Sequence, residues 1–119
     1  MTLDIDIGFA REPTGLAAFL RQEGYTRVER QDKGCTVYTQ PEDSWPQVLH
    51  FHPTIKAAEG EVPNWERSGH TIVSAVNINF PTDSAAMDEA ERLSKKIVQA
   101  LGGILYDSNL DEYFTREEL

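Results

Sequence analysis

Leu3, Ile5, Ile7 and Phe9 alternate with Asp4, Asp6 and Gly8. A period of two with one apolar side predicts a strand with one buried and one wet face. The period then changes. Leu16, Ala17, Phe19 and Leu20 fall at helical spacing, Thr14 stands where an N-cap belongs and Gly24 where a helix ends, so a helix is predicted over 14–23. Residues 25–31 and 34–40 read as the arms of a hairpin turning at Asp32-Lys33-Gly34. Residues 47–52 are a further strand. The strongest strand is 70–81, with Ile72, Val76, Ile78 and Phe80 to one side and Thr71, Val73, Ala75, Asn77 and Asn79 to the other, ending at Pro81. Ala86, Ala90, Leu93, Ile97 and Leu101 recur at steps of three and four and predict the strongest helix, capped by Asp83 or Ser84 and closed by Gly102-Gly103. Residues 104–107 form a last strand, and 115–119 a last turn.

The resulting order is β-α-β-β-β-β-α-β. It contains the β-α-β-β-α-β order of a ferredoxin-like sandwich. The expected fold is therefore a single α+β domain over residues 1–119, in two layers, with a mostly antiparallel sheet and two helices on one face. Residues 41–46 and 53–70 interrupt the periodic elements. The second of these segments lacks any sustained period and carries Trp65, and an irregular stretch of that length in a small domain is often functional.

Charge narrows the function. Eleven Lys and Arg face 20 Asp and Glu, a net charge of −9 at pH 7. Nucleic-acid binding depends on clustered cations that neutralise phosphates, and anionic membrane surfaces attract the same groups. Neither partner is expected. The balance suits a basic protein partner, because opposite fields steer association, and it equally suits simple solubility. No apolar run reaches the length of a membrane span, and the N-terminal residues lack the pattern of a signal peptide. A cytoplasmic protein is expected.

The candidate chemistry is sparse. Asp4 and Asp6 share the wet face of the first strand, where carboxylates bind metals, do acid–base work or are simply solvated. Cys35 is the only cysteine; with no His or Cys close in sequence, it reads as a buried structural thiol. His50 and His52 share one face of a strand and His70 follows, which are three potential metal ligands in a weak H-x-H pattern. No nucleophile elbow, phosphate-binding loop, dinucleotide fingerprint or paired-cysteine motif occurs. A binder without catalytic residues or a cofactor is expected rather than an enzyme. Aromatic residues beside acids give the sites for it: Trp45 near Glu42 and Asp43, Trp65 beside Glu66, and Tyr113 beside Asp111 and Glu112, with Asp107 just upstream. If these segments converge, they make an acidic surface with aromatic anchors; otherwise each aromatic covers an edge of the core. Two other readings stand beside the binder: a small metal-binding protein or metal-dependent enzyme using His50, His52 and His70, and a ligand-sensing or structural module that dimerises through a sheet edge.

Residues 76–115 carry an apolar strand ending in Phe80-Pro81, an A-x-x-L-x-x-x-I-x-x-x-L helix and the strand Gly102-Gly103-Ile104-Leu105-Tyr106-Asp107. This half resembles the closing strand–helix–strand of small bacterial α/β proteins of the toxin-immunity type. The resemblance implies a small, acidic, cytoplasmic, non-enzymatic protein that neutralises a toxin by occlusion. It carries over no individual contact residue.

Overall fold

The computed structural model describes residues 2–32, 35–40, 48–55 and 63–119. Its elements run in the order β1 (Thr2–Phe9), α1 (Leu16–Gln22), β2 (Thr26–Asp32), β3 (Cys35–Thr39), β4 (Val48–His52), a 3-10 turn (Trp65–Ser68), β5 (Ser74–Pro81), α2 (Ser84–Leu101), β6 (Ile104–Asp107), β7 (Glu112–Phe114) and a closing 3-10 turn (Arg116–Glu118). The expected turn of the β2–β3 hairpin, the 41–46 loop with Trp45, and residues 56–62 lie outside the described residues.

The strands form one antiparallel sheet in the order β2-β3-β4-β5-β1-β6-β7. The α+β class and the layered sheet are as expected, but the strand order is not that of a ferredoxin-like sandwich. In that fold both crossovers step over a single strand. Here α2 carries the chain over β1 alone, whereas α1 carries it past β5, β4 and β3 to the far edge. Two hairpin-linked strands fill the gap.

Both helices cover the same face. One buried cluster joins Leu16 and Leu20 of α1 and Ala90, Leu93, Ile97 and Val98 of α2 to Ile5, Ile7, Leu49, Val76 and Ile78 of the sheet. These strand positions follow the predicted alternation, which explains why a period of two was enough to find them. The helix ends differ in how well they were foreseen. Asp83 caps α2, its side chain accepting from the Ala85 amide at 2.9 Å. Thr14 does not cap α1; Gly15, with a positive φ of 85°, stands there without any side-chain cap. At the other end of α1, Gly24 takes φ 97°, its amide bonds Arg21 O, and the Tyr25 amide bonds Leu20 O at 2.9 Å. That pair of bonds is a Schellman closure, and it turns Tyr25 back into the core.

Candidate functional site

The sheet face opposite the helices carries the polar alternates. Across it runs one straight row set by the strand registers: Val37 opposite His50, His50 opposite Asn77, Asn77 opposite Asp6, Asp6 opposite Tyr106, and Tyr106 opposite Tyr113. Asn77 Nδ2 donates to Asp6 Oδ1 at 2.9 Å and to Asp4 Oδ1 at 3.2 Å. Asn79 Nδ2 donates to Asp4 Oδ1 at 3.0 Å. The two carboxylates are thus tied down by amides. Asp6 is not the solvated residue that alternation suggested: it is 7% exposed, and burial pushes its pKa up from 3.8 to about 7, partly opposed by the Asn77 hydrogen bond.

Part of this face is covered by residues 63–73. A Cβ at Gly8 would come within 2.7 Å of Ile72 Cγ2 and 2.9 Å of the Trp65 ring, so the bare glycine is the seat on which this segment rests. Two backbone bonds tie it further, Val73 N to Phe9 O at 2.8 Å and Ile55 N to Val73 O at 2.9 Å. Trp65 therefore docks on the sheet, the covering role that was one of its two expected fates.

It also meets the tail. The Trp65 and Tyr113 rings lie edge-to-face with centroids 6.0 Å apart, and Tyr113 stacks at a tilt on Tyr106, 4.8 Å away. The Tyr113 hydroxyl donates to Asn64 O at 2.6 Å. Tyr106 donates to Asp111 Oδ1 at 2.8 Å, and Arg67 reaches both Asp111 oxygens, at 3.2 and 3.3 Å. The Tyr106 hydroxyl first, then Arg67, holds the Asp111 carboxyl below the usual range. Burial first, then the bond to Asp111, pushes the Tyr106 hydroxyl up to about 12.

The β6–β7 hairpin closes this corner. Asp107 Oδ1 accepts from the amides of Asn109 at 2.9 Å and Leu110 at 3.4 Å, so its carboxylate shapes the turn instead of standing free. Asp111 takes a positive φ of 51°, which an Asp tolerates better than most residues. The turn pushes Leu110 outward to 56% exposure, while Glu112 is also exposed.

Of the residues expected to bind a partner, the structure brings together Trp65, Asp111 and Tyr113; Asp107 and Glu112 stand opposite each other in the same hairpin but on the Ile5 side of the sheet, and Trp45 lies outside the described residues. Arg67, Tyr106 and Leu110 complete the corner and were not singled out in the sequence. Leu110 carried a signal: an apolar residue between Asn109 and Asp111 that fits no period.

The histidines divide. His50 and His52 lie half-buried on one face of β4, and His70 is exposed after the Trp65 turn. Among the described residues no group of three His, Cys, Asp or Glu side chains is placed to hold a metal ion. The sequence also hid a partner for Cys35: His52 Nδ1 lies 2.9 Å from its sulfur. Among the described residues, no helix is long and apolar enough to cross a membrane. Comparison with protein-family models, with curated proteins and with solved structures finds no match.

Proposed function

We propose that this protein works by binding another protein, a basic one, through the corner where the Trp65 turn meets the β6–β7 hairpin. Its action is then that of a toxin-immunity protein, occluding the surface of its target without catalysis. The observation that carries the reading is Leu110, 56% exposed at the hairpin tip and flanked by Asp107, Asp111 and Glu112. Binding hot spots combine an apolar anchor with a polar rim on a surface that does not deform. Here the rigid support is Tyr106, Tyr113 and Trp65. The net charge of −9 supplies long-range attraction for a basic partner, an effect that salt screens.

The test is affinity capture from a lysate of the source organism at low salt, followed by affinity measurements on the identified protein. The expected partner is basic and is released as salt rises. Leu110→Asp weakens its binding by about 30-fold or more, the size of a hot-spot loss, while Asp88→Asn on the exposed side of α2 leaves it unchanged. A partner that binds Leu110→Asp as tightly as the parent protein would overturn the assignment of this corner.

A further inference from the structure

Arg67 shows what kind of group this corner accepts. Its guanidinium sends one nitrogen to each oxygen of Asp111, at 3.2 and 3.3 Å. Its Cζ lies 5.7 Å from the centre of the Tyr113 ring. The Tyr106 hydroxyl also donates to Asp111 Oδ1, at 2.8 Å, and the Tyr113 ring is fixed by its own bond to Asn64 O. A forked pair of hydrogen bonds above an aromatic face matches the planar guanidinium and not the compact ammonium of lysine.

Two features make the resident side chain replaceable. The ion pair is open to water, with the Arg67 and Asp111 side chains 54% and 58% exposed. Exposed pairs of this kind contribute little. The turn that carries Arg67 does not depend on it either. Trp65 rests on Gly8, Tyr113 holds Asn64, and Ser68 Oγ donates to Trp65 O at 2.6 Å.

We infer that Asp111, Tyr106 and Tyr113 form a recognition cradle for an arginine side chain of the partner protein, and that Arg67 is its displaceable internal occupant. The inference rests on the binding reading above and adds its chemistry. Arg67 competes for the cradle, so it sets a threshold: a guanidinium, which can fork onto both Asp111 oxygens, displaces it, and an ammonium does so poorly.

Amide spectra of the isotope-labelled protein, titrated with acetyl-arginine-amide and separately with acetyl-lysine-amide, test this directly. The expected result is a saturable shift of the 106–113 amides with the arginine probe. Removing the competitor in Arg67→Gln tightens it by roughly 1.5- to 5-fold, the equivalent of an exposed ion pair. The lysine probe gives clearly weaker shifts. Asp111→Asn and Tyr113→Leu each remove the response, with the remaining amides unmoved as proof of folding. No saturable shift in Arg67→Gln, or equal shifts with both probes, would overturn the inference. The captured partner separates the two readings: if Leu110→Asp abolishes its binding while neither probe shifts the cradle, the corner remains the interface and only its arginine chemistry is lost.

Discussion

At the scale of single residues, the polar face of the sheet is held by groups whose roles depend on what lies across from them. Gly8 is the clearest case. In the sequence it is one polar position in an alternating strand; in the fold it receives Trp65 and Ile72. Gly8→Ala is expected to lift the 63–73 segment and destabilise the protein by about 1–3 kcal/mol, read as a lower urea midpoint together with a red-shifted tryptophan emission. Asp6 makes a second prediction. Its folded pKa of about 7 lies above the ordinary 3.8, so the folded state binds its proton more tightly. Its favourable contribution is complete below pH 3.8 and is lost as pH rises through about 7. The full shift corresponds to an upper bound of about 4 kcal/mol. Urea unfolding of the parent protein should therefore lose stability between pH 4 and pH 7 relative to Asp6→Asn, which keeps an acceptor for Asn77. Equal pH dependence of the two proteins would contradict this. Neither role was legible in the sequence: the first requires knowing that residues 63–73 fold over β1, the second that β5 and β6 flank it. The same holds for Cys35: its contact with His52 follows from the β3–β4 register, not from any local motif.

At the scale of elements, legibility followed amphipathic period. The long helix α2, its cap and its terminating glycine were all readable, since eighteen residues repeat one apolar face and Asp83 precedes them. Asp83→Ala is expected to cost about 1 kcal/mol, measurable as a lower thermal midpoint without change in the fold. The short helix α1 was readable in its core face but not at its start, where Gly15 replaces a side-chain cap. Strand β7 was missed because three residues are too few to establish a period. It forms because Tyr113 finds Tyr106 across the hairpin and Trp65 beside it. The Trp65 turn was hidden for the same reason. Its capping bond from the Glu66 amide to Asn64 Oδ1 spans two residues and leaves no mark in hydrophobic patterning.

At the scale of the whole molecule, class and layering followed from the sequence, but strand order did not. Alternation gives each strand a face and leaves its neighbours open; the long α1 crossover is a matter of topology. Cys35 offers a probe of this architecture, being 5% exposed and the only thiol. Alkylation by iodoacetamide should be slower in the native protein than in urea by about two orders of magnitude, with native labelling gated by opening of the β3–β4 region; comparable rates would mean that this part of the sheet opens freely. The strand order also has a consequence for a chain still being synthesised. Strands β2 to β5 form a meander of sequence neighbours and can pair as they emerge. Strand β1 precedes all of them in the chain, yet it pairs only with β5 and β6. It must therefore wait for its first strand partner until the ribosome has delivered β5, which ends at Pro81. In that interval the segment most exposed to wrong partners is the one that later sits at the centre of the sheet. Its aspartates, Asp4 and Asp6, are then the charges that keep it from sticking.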